Sequence, residues 1–203
     1  MNRDKEYTKK YANIALNLGF VPILILPNSK RPMFAGWPNI TSSEAEKTFN
    51  KIRSFHNIGI ITGKASGIVV LDIEKADLDD WYELLEQHPK LKETLTVRTG
   101  GGGLHIYFDY DSRTEKIRNG VKIKLPITEN KFAKVDVRTT GGQVLWIGDV
   151  HPETGKTYKV ISGVEQFENQ ETGELEDEYI ISPMPKWLAN AIIEAQSKIG
   201  RRR

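Results

Sequence analysis

The stretch Ile68-Val69-Val70-Leu71-Asp72-Ile73-Glu74 carries the strongest fold signal in the chain and its first candidate functional residues. A continuous apolar run of this length predicts a strand buried on both faces. Side chains alternate along a strand, so Asp72 and Glu74 share one face, with attachment points roughly 6.5–7 Å apart. Two carboxylates at the end of a buried strand repel each other and lose hydration unless a cation or several donors lie between them. From this segment alone, either a divalent metal binds there, or the strand emerges into solvent with Lys75 supporting Glu74.

Helix and strand patterns alternate around this strand in the first half of the chain. Apolar spacing predicts a helix over residues 4–18 closed by Gly19, followed by a buried strand over residues 20–26 and a basic turn over residues 27–32. The cluster at Thr41 with Glu44 predicts a capped second helix extending to about Phe55. The apolar runs at residues 58–61 and 68–73 suggest a hairpin with a longer loop, and a third helix follows over residues 77–87.

The second half of the chain has mostly strand patterns. The predicted strands cover residues 95–98, 104–110, 121–125, 135–138 and 144–147. Residues 162–178 are acidic and contain glycine, which predicts a mobile loop, and a last helix is predicted over residues 186–198. The expected fold class is mixed α/β (α+β), with largely antiparallel sheets and flanking helices. We expect one domain over residues 1–198, with a helix-strand half and a β-rich half, followed by a basic tail at residues 199–203.

Composition excludes several classes of function. The 203 residues contain no cysteine, so disulfides, thiolate metal sites and thiol nucleophiles are ruled out, and any metal must be held by oxygen or imidazole. The 29 basic and 27 acidic residues nearly cancel, so nucleic-acid binding would need a local patch. No run approaches the roughly 18 apolar residues of a membrane span, so we expect a cytoplasmic protein without a membrane partner.

Two further segments hold residue types suited to phosphate chemistry. Asp136 interrupts the short β-branched run Val135-Asp136-Val137, which on its own is typical of an acid on a half-exposed strand. Residues 100–103 are four consecutive glycines directly before a strand whose second residue is His105. Such a loop can present backbone N–H groups to an anion, and the histidine can donate to the same phosphate. A flexible hairpin loop beside a core histidine is the alternative.

The order and spacing of these segments resemble a known family. The segments are NIGIITG at 57–63 with SGIVVLDIE at 66–74, TVRTGGGGLHIYF at 96–108 and VDVRTTGG at 135–142. Together they are similar to the bifunctional primase/polymerase (Prim-Pol) domain of the archaeo-eukaryotic primase superfamily. These domains occur in replication proteins of plasmids and phages and in some CRISPR-associated proteins. The resemblance runs nearly end to end, from GFVP at 19–22 to PMPKWL at 183–188.

The resemblance implies a role for individual residues. It makes Asp72, Glu74 and Asp136 the catalytic metal-binding carboxylates, and His105 the contact to the phosphates of the incoming nucleotide. Further candidate nucleotide contacts lie in or beside the motifs: Lys64, Ser66, Arg98, Thr99, Gly101, Gly102, Gly103 and Arg138. Many superfamily members have serine two residues before the histidine, where this chain has Gly103. Backbone N–H groups of residues 101–103 could substitute for that hydroxyl.

The implied reaction is template-directed transfer of a nucleotide from an NTP or dNTP to a 3′-hydroxyl. Two Mg²⁺ or Mn²⁺ ions about 3.5–4 Å apart suit three carboxylates and this chemistry. Expected partners are nucleoside triphosphates, single-stranded or primed DNA template, and a fused or associated helicase or other replication domain. Lys30 and Arg31 are candidates for contact with the template backbone.

Two other functions remain open at this point. Asp72, Glu74 and Lys75 also satisfy the loose acid-x-acid-Lys pattern of a metal-dependent nuclease, although that function would leave His105 and the glycine loop unused. A non-catalytic nucleic-acid-binding module would need aromatic residues for base stacking on the sheet, and Tyr107 and Trp146 are the candidates.

Overall fold

A computed structural model describes residues 5–48, 52, 56–170 and 173–200 of the chain. The helices in these ranges are α1 Lys5–Asn17, α2 Ser42–Thr48, α3 Leu78–Gln87 and α4 Lys186–Gly200. The strands are β1 Pro22–Ile25, β2 Asn57–Ile61, β3 Ile68–Ile73, β4 Thr96–Arg98, β5 Leu104–Asp109, β6 Gly120–Pro126, β7 Phe132–Arg138, β8 Gln143–Leu145, β9 Lys159–Ser162, β10 Val164–Glu168 and β11 Leu175–Tyr179. No helix in the described ranges has both the length and the apolar character needed to cross a bilayer.

The strands form a large sheet, a small sheet and a separate hairpin. The large sheet has six strands in the order β6-β7-β3-β5-β4-β9, the small sheet has the order β1-β2-β8, and β10 pairs with β11. Neighbouring strands pair antiparallel in all three. The predicted fold class, a mixed α/β domain with antiparallel sheets, is confirmed.

Strand β3 lies in the middle of the large sheet and is buried on both faces, as its apolar run predicts. Ile68 and Val70 belong to a core shared with α1, α2 and the small sheet. Val69, Leu71 and Ile73 belong to a second core, which contains the apolar faces of α3 and α4. Because side chains alternate along a strand, the next position on the first face after Val70 is Asp72. The carboxylate therefore lies on the side of the large sheet that faces the small sheet.

Local sequence signals explain how the first two helices begin and end. Gly19 terminates helix α1 two residues past Asn17. Its φ of 77° favours glycine, and the Phe20 N–H closes the turn on the Ala15 carbonyl at 2.9 Å. At α2 the Thr41 N–H donates to the Glu44 carboxylate at 2.8 Å and the Glu44 N–H donates back to the Thr41 hydroxyl at 3.3 Å. This reciprocal pair is the predicted capping box.

The predicted hairpin between residues 58–61 and 68–73 is wrong. Strand β2 pairs with β1 and β8, whereas β3 pairs with β5 and β7. A turn closed by two hydrogen bonds between Gly63 and Ile68 leads the chain from one sheet into the other. Gly63 has a φ of 76°, and a side chain there would lie 2.1 Å from the Thr140 backbone nitrogen. This close approach needs glycine, and it lets two consecutive strands separate into different sheets.

Two other boundaries differ from the sequence prediction. Helix α2 is described as far as Thr48, and Ile52 is not helical, while residues 49–51 and 53–55 of the predicted helix lie outside the described residues. The predicted mobile loop over residues 162–178 is wrong, since β10 and β11 form a hairpin there. Polar cross-strand pairs stabilise it, including Gln166 Nε2 donating to Asp177 Oδ1 at 3.0 Å. Its strands expose charge on both faces, so the sequence shows no apolar alternation.

Candidate active site

The pairing register of three strands brings the main candidate residues together. In β3, Asp72 lies directly opposite His105 of β5 on one side and Asp136 of β7 on the other. Directly paired residues of neighbouring strands project to the same face of a sheet. Three side chains separated by up to 64 positions in sequence therefore stand in one row across the sheet.

This row forms part of the wall of a cavity of about 680 Å³ between the two sheets. Thr99, Gly101 and Gly103 of the glycine loop and Arg138 of β7 line the same cavity. Lys30, from the turn after β1, also reaches it. Acidic groups and potential phosphate donors therefore line a single space.

Arg138 lies against both aspartates. Its Nη2 is 2.9 Å from Asp136 Oδ2 and 3.7 Å from Asp72 Oδ2. Asp136 is 8% exposed and also accepts a hydrogen bond of 2.8 Å from the backbone N–H of Lys122. Hydrogen bonds thus hold the Asp136 carboxylate in place, and the nearby guanidinium charge offsets part of the repulsion between Asp72 and Asp136.

Glu74 also lines this cavity, but its carboxylate has a different partner. Its extended backbone (φ −68°, ψ 151°) lies just past the end of β3, and its side chain is ion-paired with Lys122. The structure brings Asp72 and Asp136 together and directs Glu74 to a lysine. Within the described ranges, no three acidic or histidine side chains are arranged to hold one metal ion. The donor chemistry nevertheless fits a hard divalent cation, because adjacent carboxylate oxygens without sulfur are the ligands that Mg²⁺ and Mn²⁺ prefer.

His105 is buried, and its surroundings disfavour the charged form of the ring. Its Nε2 is 3.6 Å from Asp72 Oδ1, too long for a good hydrogen bond. Burial lowers the pKa of His105 below its ordinary value, and the positive charges of Lys30 and Arg138 lower it further against the opposing effect of Asp72. The ring lies against the Leu145 backbone, but its buried Nδ1 makes no well-formed hydrogen bond to the described residues. A neutral imidazole keeps one N–H that can donate to a ligand.

The glycine loop is organised by Thr99. The Gly102 N–H donates to the Thr99 carbonyl at 2.9 Å, and the Gly103 N–H donates to the Thr99 hydroxyl at 3.0 Å. The expectation that residues 101–103 together offer backbone donors therefore needs correction, since two of the three N–H groups are already used. The Gly101 N–H donates to no atom of the described residues, and Gly101 lines the cavity.

Comparison with known families gives a match that covers most of the chain. The description "bifunctional DNA primase/polymerase, N-terminal" matches residues 11–187. The chain belongs to the Prim-Pol family. A search of curated proteins found no match. Membership in this family establishes a DNA primase/polymerase type of function in the broad sense, with nucleotidyl transfer as the general reaction.

Four of the predicted nucleotide contacts of this Prim-Pol domain lie away from the cavity wall. Ser66 is buried and accepts the Val21 N–H at 2.9 Å, and Lys64 is exposed in the turn that joins the two sheets. Arg98 donates to the Gly102 carbonyl at 3.2 Å and to the Tyr82 hydroxyl at 3.0 Å. Ser66, Arg98 and Gly102 therefore have visible roles in shaping the scaffold.

The cavity also contains residues that the sequence did not indicate as site residues. Besides Lys30, its lining includes Trp37, Gln143, His151 and Tyr158. The Lys30 charge lowers the pKa of His151, after the larger effect of burial, as it does that of His105. The Lys30 ammonium is close enough to lower the pKa of both histidines, whereas the sequence predicted that Lys30 contacts the template backbone.

A second cavity, of about 500 Å³, lies between β6 and α4. Its lining includes Lys122, Lys124, Lys198 and Phe132, with Glu194 as the acidic residue. The Lys124 ammonium lies 5.7 Å from the centre of the Phe132 ring. Since Lys122 also contacts Glu74, this β6–α4 groove adjoins the carboxylates.

Proposed function

We propose that this Prim-Pol domain catalyses template-directed, metal-dependent nucleotidyl transfer from an NTP or dNTP to a 3′-hydroxyl. The observation that carries the proposal is the single row formed by His105, Asp72 and Asp136. It combines a pair of carboxylates with a neutral donor in a cavity that the glycine loop also reaches.

The carboxylate side of the cavity would hold the cations. Asp72 and Asp136, which are paired across neighbouring strands, would be the first ligands, and Glu74 would join them once it leaves Lys122. Bound Mg²⁺ or Mn²⁺ would stabilise the attacking and leaving oxygens of an in-line phosphoryl transfer. Arg138 orients Asp136 and offsets part of the negative charge of both aspartates.

Groups beside the carboxylates in the same cavity suit a triphosphate. The neutral His105, the Gly101 backbone N–H and the Lys30 ammonium provide three different donors beside one space. Charge-assisted hydrogen bonds to phosphate are among the stronger ones in proteins. These groups would bind and orient the nucleotide, while the carboxylates hold the cations.

The DNA template or primer strand is proposed to approach along the β6–α4 groove. The groove contains three lysines to one glutamate, includes an aromatic ring, and adjoins the carboxylates through Lys122. Basic side chains beside an aromatic ring are typical of single-strand binding. An associated helicase or other replication domain would supply further contacts with DNA.

The two alternative functions have less support. A nuclease would not use His105 and the glycine loop, which the structure places beside Asp72. A stacking module would need accessible Tyr107 and Trp146, but both side chains are fully buried. The aromatic platform expected for a non-catalytic module is therefore absent at these two positions.

Primer extension with labelled nucleotides on a primed DNA template tests the proposal. Wild-type protein should extend the primer with Mg²⁺ or Mn²⁺, and D72N should reduce extension by about 10²-fold or more, because it removes a carboxylate from the site of charge development. D109N is the matched control, since Asp109 lies at the opposite end of the β3–β5 ladder. Shortening of the labelled strand would indicate a nuclease, and failure of the wild type to incorporate nucleotide would refute the proposal.

A further inference from the structure

Lys122 has an unusual backbone conformation for a lysine. It lies in β6, where the register with β7 shifts between Gly120 and Ile123, and its φ is 53°. Residues other than glycine rarely adopt this left-handed conformation, and a β-bulge is one place where a strand tolerates it. Such strain persists only where surrounding contacts hold it.

The contacts that hold Lys122 all involve the acidic side of the active site. Its backbone N–H donates to Asp136 Oδ1 at 2.8 Å. Its ammonium donates to Glu74 and, at 3.1 Å, to the buried Asp77. One residue therefore fixes a carboxylate of the central row through its main chain and binds two more through its side chain.

This arrangement has a consequence for Glu74. The Glu74 side chain is 56% exposed, so packing does not restrain its direction, and the Lys122 ammonium is the partner that the structure gives it. Lys122 thus supplies a positive charge at the edge of the carboxylate row, close to the place where a cation would bind.

We propose that Lys122 is a positioning residue that acts as an internal counter-ion of the active site and competes with the divalent cation for Glu74. The inference rests on the proposed function, because it assumes that the cation binds at Asp72 and Asp136. In the metal-free protein Lys122 holds Glu74 aside, and cation binding requires Glu74 to exchange the ammonium for the metal. After the exchange the ammonium keeps Asp77, and the Lys122 backbone keeps Asp136.

Lys134 provides a matched control for this competition. Its ammonium lies 3.6 Å from Asp77 Oδ1 and its side chain is 44% exposed, against 48% for Lys122. No ion pair between Lys134 and Glu74 is present among the described residues. Removing either lysine removes one positive charge beside Asp77, but only the change at residue 122 releases Glu74.

Isothermal titration of the full chain with Mn²⁺, without nucleotide or DNA, tests the proposal. K122M should bind Mn²⁺ more tightly than wild type, on the order of tenfold, because Glu74 no longer has to leave a charged hydrogen bond. K134M should tighten binding by less than about threefold, the effect of one partly exposed charge. K122R keeps the charge and the donors and should restore wild-type affinity.

Two further variants guard against misleading results. K122G removes the side chain and suits the positive φ, so it should bind Mn²⁺ as tightly as K122M even if K122M folds poorly. In an E74Q background, K122M should tighten binding no more than K134M does, since the competing carboxylate has been removed.

The possible outcomes separate this inference from the proposed function. Equal or weaker Mn²⁺ binding by K122M and K122G, with clear binding by the wild type, would overturn the role of Lys122 and leave the metal site standing. Absence of Mn²⁺ binding in the wild type and in every variant would overturn the metal site, and the competition with it.

Discussion

Restoring the serine of the superfamily at Gly103 should damage this protein. A side chain at Gly103 would place its Cβ 2.1 Å from the Ile73 carbonyl oxygen, where ordinary C···O contacts are about 3.3 Å. The clash is with the backbone of β3, so β3 and β5 would have to separate by about 1 Å. Overpacking of this kind costs about 2–3 kcal/mol, which lowers the melting temperature of a domain this size by roughly 4–12 °C.

G101S is the matched control for G103S. A Cβ at Gly101 would lie 3.2 Å from His151 Nε2, which belongs to a side chain that can shift. Its effect should stay below about 1 kcal/mol, since losing a glycine also lowers the entropy of the unfolded chain. Thermal and denaturant unfolding of both variants measures the difference. A G103S protein as stable as G101S would refute the argument that close approach of the backbone, and not phosphate contact, requires glycine here.

Two other predictions concern pH and DNA binding. The folded-state pKa of His105 lies below its ordinary value of 6.5, so the unfolded chain takes up the proton first as the pH falls. The contribution of His105 to the free energy of unfolding is therefore complete above about pH 6.5. It declines as the pH falls towards the lowered pKa. H105Q should flatten this part of the stability profile measured by denaturant unfolding between about pH 7.5 and 5.5, and an unchanged slope would contradict the assignment. Charge removal in the β6–α4 groove by K124Q/K198Q should reduce the slope of log affinity for single-stranded DNA against log salt by about 1.4, measured by fluorescence anisotropy in EDTA. K5Q/K10Q on α1 is the control and should leave the slope unchanged, and equal slopes in both double variants would exclude the groove.

Much of the fold can be predicted because its strongest signals are local. The apolar run of β3, the glycine that closes α1 and the capping residues of α2 act over a few positions, so their patterns are visible in the sequence. The same holds for Asp72, His105 and Asp136, each marked by its own short motif. The β10–β11 hairpin was missed because charged residues lie on both of its faces, so no apolar alternation marks its strands in the sequence.

The sequence by itself determined three features: a mixed antiparallel fold, a buried central strand that ends in carboxylates, and a glycine loop before a histidine. Each of these features depends on residues that are adjacent in the chain. Only the tertiary structure decided that β2 and β3 lie in different sheets, since strand pairing depends on which edges the rest of the chain leaves open. It also decided that Lys30 reaches the cavity and that Lys122 holds Glu74. Glu74 and Lys122 are 48 positions apart in the sequence. Their ion pair forms at the point where the pairing of β6 with β7 shifts register. No local pattern encodes such a contact.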